Sequence, residues 1–380
     1  MSSRQLSIKG TILWSSPQEF FGESISLAKG KKVLLVMNAT TAERLSLNRW
    51  VEELAGQASL TWIDRTGSNP DYKDVFRNLK SCPAGPFDLV MALGGGSVID
   101  MAKSLAALSY LVDQEKLDHF LVLQSISRKE YLQFPDSVPI YAVPTTAGTG
   151  SEVTSWATVW DWEGKRKYSI EAPWLCPAGT WIIPEFTATM PQRLTLATGL
   201  DALCHAVEAY WAKSSNLMAQ ELAKTAIRLI VKYLPKVLAE GAHLSYRKKM
   251  CLGSLFAGLA FAQTHTTACH SISYPLTMTF GIEHGLACAL TLARVMEMNL
   301  PLLEEKGDLL EALGVQSPAE LQEWLDQTAA GIVRLRLGAF GIREKDLSDL
   351  VTLSFTQGRM DNNPVDVSPE DVQRMLRSLL

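Results

Sequence analysis

The 380-residue chain reads as an α/β, Rossmann-like amino-terminal domain followed by an all-α carboxy-terminal domain. Two observations predict this. In the first half, short apolar runs bounded by turn residues alternate with helical stretches, as in a parallel sheet with crossover helices. From about Pro191 onward, helical patterns follow one another and strand-like runs are few. Pro184 and Pro191 flank the change, so the expected division is 1–187 and 188–380.

Lys32-Val33-Leu34-Leu35-Val36-Met37 is the first buried strand, followed by a helix over about 41–55. Leu60–Asp64, Asp88–Leu93 and Pro139–Val143 are the next three strands. Helices are expected over 198–213, 217–238, 245–263, 285–298, 317–336 and 369–379. No internal repeat interrupts this order.

Bulk properties narrow the function. The net charge is −4 and no basic run occurs, which disfavours nucleic acid or an acidic membrane surface as partner. Met1-Ser2-Ser3-Arg4-Gln5 lacks the apolar core of a signal peptide. No uncharged apolar run approaches the roughly 18 residues of a membrane span. Cys82, Cys176, Cys204, Cys251, Cys269 and Cys288 are scattered with no CxxC pair. They read as buried thiols of a reducing compartment, so a cytoplasmic location is expected.

Four residues of the second half suit a divalent cation. Asp201 and His205 are four apart, hence on one face of a helix. His270 opens His270-Ser271-Ile272-Ser273-Tyr274-Pro275, and His284 follows fourteen residues later. Three imidazoles and a carboxylate fit Fe(II) or Zn(II), and a mononuclear site open to an oxygen ligand can polarise a carbonyl. Cys204 and Cys269 each precede a candidate ligand, but the Asp/His set is complete without them. Glu208, three after His205, either orients a ligand or serves as a cap or surface residue. His119 and His243 read as surface residues.

The nucleotide end lies upstream. Leu93-Gly94-Gly95-Gly96-Ser97-Val98-Ile99-Asp100 follows the third strand and opens a helix, where glycines and free N–H groups admit phosphate. The same residues also suit a tight strand-to-helix turn, and GxGxxG is absent. Val143-Pro144-Thr145-Thr146-Ala147-Gly148-Thr149-Gly150-Ser151-Glu152 follows the next strand. Two such loops at the ends of neighbouring parallel strands favour a ligand over a plain loop. Lys167 is either a cation for a ribose or phosphate, or part of a solvated charge run.

Taken together, Gly94–Ser97 with Asp100, Pro144–Glu152, Gly199-Leu200-Asp201-Ala202 through His205 to Ala209, His270 with Pro275-Leu276, His284-Gly285 and the tail Asp361-Asn362-Asn363-Pro364 resemble the iron-containing (group III) alcohol dehydrogenase family. The resemblance implies the fold shared with dehydroquinate synthase: a cofactor domain, a helical metal domain and an active site in the cleft between them. It implies Asp201, His205, His270 and His284 as ligands of Fe(II) or Zn(II). It implies Asn69, Gly95, Gly96, Ser97, Asp100, Thr145, Thr146, Thr149 and Lys167 around NAD(H) or NADP(H). It implies a primary alcohol or its aldehyde as substrate, and a homodimer or higher homo-oligomer.

Two positions depart from the family's pattern. Many relatives carry a His where Tyr274 stands. A phenol titrates near ~10 and so donates a proton near neutrality more readily than it accepts one. Tyr274 either gives the product its proton during aldehyde reduction, or packs the wall while water does so. NAD-preferring relatives carry an Asp where Asn38 stands. A carboxylate there repels a 2′-phosphate, so Asn38 implies that NADPH is tolerated.

The polar stretch from Thr264 to Thr277 resembles the branch associated with phosphonate metabolism, which reduces phosphonoacetaldehyde to 2-hydroxyethylphosphonate. Thr264, His265, Thr266 and Ser273 are the candidate donors to the phosphonate. His265 is the key position, where this branch places a Lys; it is otherwise a helix residue satisfied by a carbonyl. A general short-chain aldehyde or alcohol oxidoreductase is the alternative, with maleylacetate reductases and glycerol dehydrogenases as others in the family. An NAD-dependent lyase or a non-catalytic metal- or nucleotide-binding protein is the alternative in class.

Overall fold

The computed structural model describes residues 10–83, 85–112, 116–135 and 138–380; the Met1–Gln5 segment lies outside them. The chain forms two compact units. One runs up to Thr146 and resumes over Ser151–Thr189; the other comprises Ala147–Gly150 and Met190–Leu380.

The first unit holds strands β1 (Thr11–Trp14), β2 (Lys32–Val36), β3 (Ser59–Ile63), β4 (Leu89–Gly94), β5 (Ile140–Pro144), β6 (Trp156–Asp161), β7 (Arg166–Glu171) and β8 (Gly179–Ile182). Its helices are α1 (Pro17–Ala28), α2 (Ala39–Arg44), α3 (Asn48–Gln57), α4 (Tyr72–Ser81), α5 (Gly96–Ala107) and α6 (His119–Ser127). Six strands form one parallel sheet in the order β1-β8-β5-β4-β2-β3. Successive strand residues point to opposite faces. Leu34, Val36, Val90 and Ala92 therefore pack on one side with Ile99, Ala102 and Leu105 of α5. Val33, Leu35, Leu89, Met91 and Leu93 pack on the other with Phe20, Trp50 and Leu54. A strand buried on both faces must be apolar throughout, which is why β2 and β4 are legible as sequence.

The second unit is helical: α7 (Gln192–Trp211), α8 (Leu217–Ala239), α9 (Leu244–Thr264), α10 (Ala268–Phe280), α11 (His284–Asn299), α12 (Lys306–Leu313), α13 (Pro318–Ala329), α14 (Leu347–Leu353) and α15 (Pro369–Ser378). No helix among the described residues is long and apolar enough to cross a membrane.

Several expectations are corrected. The helix over 41–55 is two, α2 and α3, because Ser46 adopts φ +56° and Leu47 N–H closes a turn on the Ala42 carbonyl. The helix expected to 336 ends at Ala329. The short edge strand β1, the short strand β8 beside it and the antiparallel hairpin β6–β7 are additional; their mixed polar and aromatic residues follow no long apolar run. Helix α10 is also additional. It contains Pro275 and a run of serines and threonines, residues that disfavour helix locally, yet it is buried from Ala268 to Thr277. His119 is half-buried, beside the rings of Tyr72, Phe76 and Phe120, and not a surface residue. His243 is exposed, stacked on Tyr246.

A buried cation ties the first unit together. Lys103, wholly buried on α5, donates to the carbonyls of Ser151 (2.6 Å), Thr154 (2.8 Å) and Trp156 (2.9 Å). Asp100, one turn earlier, accepts from Ser151 Oγ (2.5 Å) and from Thr158 N–H (2.9 Å). These bonds fasten the segment after β5 to the helix that follows the glycine-rich loop. Burial lowers Lys103 to about 8 and raises the Glu152 carboxyl to about 7.

Lys103→Met should leave those carbonyls buried without their donor and cost on the order of 3 kcal/mol, read as a lower urea midpoint. Glu152 gives a pH signature. An unfolded Glu152 ionises near 4.5, the folded one only near 7. The protonated form therefore supplies stability that is full below 4.5 and lost as pH rises to about 7. Glu152→Gln should flatten the fall in urea midpoint across that window.

Candidate active site

Helix α7 is buried almost without break from Thr195 to Trp211, and Asp201 and His205 stand one turn apart on it. His284 opens α11. The next residue must be glycine: a Cβ on Gly285 would lie 1.9 Å from the Ala197 carbonyl oxygen and 2.7 Å from Asp201 Cβ. The missing side chain lets α11 close on α7 and brings His284 to Asp201. His270 arrives on the first turn of α10.

Asp201 Oδ1 is the point of convergence. It lies 3.9 Å from His205 Nε2, 3.6 Å from His270 Nε2 and 3.9 Å from His284 Nε2. Asp201 Oδ1 and His270 Nε2 are buried and accept or donate no hydrogen bond. Leaving such atoms unsatisfied is costly. A cation bonded at ~2.1 Å to each would space tetrahedral ligand atoms about 3.4 Å apart, close to what is observed. The four predicted ligands thus fit a divalent metal. Burial alone would raise Asp201, but the imidazoles of His205, His284 and His270 outweigh it and hold the carboxyl well below the usual range. Burial lowers His205 to about 4, so its ring is neutral and available as a ligand. That ring is stacked on Phe261 at 4.0 Å and on His270 at 4.5 Å.

Glu208 settles into one of its two readings and enlarges the other. It is wholly buried, not a surface residue. Oε1 accepts from the Thr267 and Cys269 N–H groups (3.0 and 2.9 Å), from His270 N–H (3.4 Å) and from Thr267 Oγ1 (2.7 Å). Oε2 pairs with His270 Nδ1. One carboxylate therefore caps α10 and directs the opposite ring nitrogen of His270 towards Asp201. Cys288, one turn after His284, was not singled out by sequence. Its Sγ lies 3.8 Å from His284 Nε2, and it joins Asp201, His270 and His284 in a group whose ligand atoms all fall within 4.8 Å of one another. The i, i+4 spacing that marks Asp201 and His205 also marks His284 and Cys288. Cys204 and Cys269 are buried but lie outside that group.

In the other unit, strand order reverses about β2 and β4, and Asn38, Asn69, Gly95, Gly96, Ser97, Asp100, Thr145 and Thr146 follow the carboxyl ends of β2, β3, β4 and β5. Gly95 caps α5, and a Cβ on it would meet Thr146 at 3.3 Å. Gly96 is the first residue of α5. Asn69, at φ +51°, donates its N–H to Ser97 Oγ (3.1 Å), which joins the loop after β3 to the glycine-rich turn. Thr145 N–H bonds the Gly94 carbonyl at 2.9 Å. Lys167 lies on β7, and its charge acts on Asp100. Thr149 belongs to the helical unit, where Gly148 and Gly150 abut Thr198 and Gly258. Asp100 has both carboxylate oxygens committed to Ser151 and Thr158. Asn38 clamps Thr66 with both ends of its amide: Nδ2 donates to the carbonyl (3.0 Å) and Oδ1 accepts from the N–H (2.5 Å).

The polar stretch before His270 is largely spent on its own backbone. Thr264 and Ser273 are fully buried. The Thr264 hydroxyl donates to the His265 carbonyl (2.8 Å) and the Ser273 hydroxyl to the His270 carbonyl (2.7 Å). Neither is a free donor for an anion, which corrects that expectation. Half-buried His265 ends α9 with a left-handed backbone, φ +59°. The tail now has a purpose: Asn362 donates to the carbonyls of Thr264 (2.8 Å) and Thr266 (3.1 Å), holding the turn between α9 and α10. Tyr274 is 5% exposed, its ring parallel to His284 at 5.9 Å.

Glu208→Gln would turn an amide N–H₂ towards groups that are themselves donors. Metal affinity should fall about 10–100-fold, measured by competition with a chromophoric chelator.

Comparison with known proteins agrees with this geometry. The family model described as iron-containing alcohol dehydrogenase matches residues 19–182, and the carboxy-terminal model of the Fe-containing alcohol dehydrogenase family matches 195–380. A phosphonoacetaldehyde reductase of Streptomyces viridochromogenes is 33% identical over 306 residues, 76% of this chain and 75% of that protein. Long-chain-alcohol dehydrogenase 1 of Geobacillus thermodenitrificans is 34% identical over 300 residues, 76% and 74% of the two chains. An iron-containing alcohol dehydrogenase of Thermotoga maritima superimposes with a TM-score of 0.84 at 28% identity, covering 99% of each chain. A sulfoacetaldehyde reductase of Bifidobacterium kashiwanohense, solved with NAD+, does so with a TM-score of 0.83 at 26% identity, covering 99% and 98%. The chain belongs to the iron-containing alcohol dehydrogenase family, metal-dependent oxidoreductases that interconvert alcohols and aldehydes with a nicotinamide cofactor.

Proposed function

We propose that this chain reduces a short aldehyde bearing an anionic group, with phosphonoacetaldehyde as the leading candidate. The observation that carries the reductase chemistry is the convergence of three imidazoles on the unsatisfied Oδ1 of Asp201. Asp201, His205, His270 and His284 would hold Fe(II) or Zn(II). When bound, the metal supplies Lewis-acid polarisation of the carbonyl, and the reduced nicotinamide supplies the hydride. The residues do the rest. Glu208 fixes the tautomer and direction of His270. Tyr274, buried beside His284, gives its phenolic proton to the product oxygen. Gly95, Gly96, Ser97, Thr145, Thr146 and Thr149, with Asn69 and Lys167, receive the dinucleotide. Asp100 acts by holding Ser151 and the start of the β6 strand in place.

The anionic substrate is supported by two relatives, one named for phosphonoacetaldehyde and one for sulfoacetaldehyde, both two-carbon aldehydes with an acidic group. Thr264 and Ser273 spend their hydroxyls on neighbouring carbonyls, and the reading assigns recognition of the anionic group to His265 and Thr266. A general aldehyde reductase is the second reading, favoured by the internal use of those two hydroxyls. NADPH is accepted beside NADH because Asn38 is neutral and held by Thr66.

Rates of NADH and NADPH oxidation with phosphonoacetaldehyde and propanal separate the readings. A kcat/KM at least ~10-fold higher for the phosphonate corresponds to about 1.4 kcal/mol of transition-state discrimination, and His265→Ala should abolish it. Equal or better rates with propanal would leave the general reductase. Asn38→Asp should lower kcat/KM for NADPH by about tenfold relative to NADH. Tyr274→Phe should reduce kcat on the order of 10²-fold with KM little changed; an unchanged kcat would assign the proton to water.

A further inference from the structure

His265 ends α9 at φ +59° and ψ −178°. That combination is open to glycine and in practice closed to a residue with a Cβ. Lys129 shares a positive φ, +55°, but its ψ of +36° falls in the left-handed well that other residues do visit. A histidine in glycine's territory persists only where its neighbours over-determine it.

They do so on both sides. His265 N–H closes the last turn of α9 on the Phe261 carbonyl at 2.7 Å. The Thr264 carbonyl before it accepts from Asn362 Nδ2 (2.8 Å) and from the Ser214 hydroxyl (2.5 Å). The Thr266 carbonyl after it accepts from the same Asn362 nitrogen (3.1 Å). Asn362 is held in turn: its Oδ1 accepts from Ser214 N–H (3.2 Å) and its carbonyl from Lys213 N–H (2.9 Å). The Thr267 hydroxyl accepts from Trp211 Nε1 (2.9 Å), and Thr267 N–H donates to Glu208 (3.0 Å). One amide therefore grips the residues on either side of His265, using two donor protons and an acceptor. Glycine would make the same turn without strain, so stability is given up here for a side chain. Strain of this kind collects at ligand clamps and active sites.

We infer that Asn362 is a positioning residue for substrate recognition: it holds His265 in a glycine-type backbone so that the half-buried imidazole is presented to the anionic group of the aldehyde. The inference rests on the anionic-aldehyde reading proposed above.

Urea midpoints test the strain without turnover. Glycine is ordinarily less stabilising than alanine, but at position 265 the order should invert, with His265→Gly unfolding at a higher midpoint than His265→Ala. On Fe(II)-loaded enzyme, the ratio of kcat/KM for phosphonoacetaldehyde to that for propanal should fall on the order of tenfold in Asn362→Ala, mainly through KM for the phosphonate. Asn362→Asp should behave alike, because it keeps the acceptor and loses both donors. In a His265→Gly background, where the ratio is already low, Asn362→Ala should change it no further. A midpoint for His265→Gly below that of His265→Ala would overturn the proposal and leave the anionic-aldehyde reading standing. So would a wild-type ratio in both Asn362 variants, or a ratio that falls again in the glycine background. A wild type that reduces propanal as well as phosphonoacetaldehyde would overturn that reading and the proposal with it.

Discussion

The buried carboxylate of Glu208 is the interaction on which the helical unit's chemistry depends. It sits on α7 with no exposure and collects the donors at the start of α10, then pairs with the ring of His270. An uncompensated carboxylate in that position would be prohibitively costly. The helix start and the imidazole supply what it lacks. In return they are fixed to α7, the helix that also bears Asp201 and His205. Structure and site are therefore secured by the same bonds.

The approach of α11 follows a complementary logic of omission. Only glycine at 285 allows that helix to reach the α7 backbone, and His284 gains its position from the contact. One imidazole is placed by a hydrogen-bond network and another by the absence of a side chain. Between them, Asp201 Oδ1 is left with three imidazoles and no proton partner, an arrangement that makes physical sense around a cation.

The α/β unit uses a buried charge differently. The Lys103 ammonium is consumed by the carbonyls of Ser151, Thr154 and Trp156. Together with Asp100 it braces the backbone that follows β5, so the glycine-rich turn has a rigid neighbour. Asn38 does similar work on the loop after β3 through Thr66. Its amide is suited to this because it offers a donor and an acceptor at once, which an aspartate cannot.

The sequence alone determined the class of the fold, because β2 and β4 are apolar on both faces and the long helices keep a 3.6-residue period. It also pointed to the four candidate metal ligands, since Asp201 and His205 share a helix face and His270 and His284 stand in motifs that resemble a known family. Local signals failed where distant residues decide conformation. Helix α10 forms despite Pro275 because Glu208, sixty residues earlier in the chain, caps it. The threonine and serine hydroxyls before His270 look like a binding surface in sequence, yet burial and neighbouring carbonyls claim those of Thr264 and Ser273. Cys288 is one scattered cysteine among six until α11 packs on α7 and sets its sulfur beside His284. Spacing along the chain reports which side chains share a helix face; only tertiary packing decides which faces meet, and so which polar atoms are consumed by the fold and which are left for chemistry.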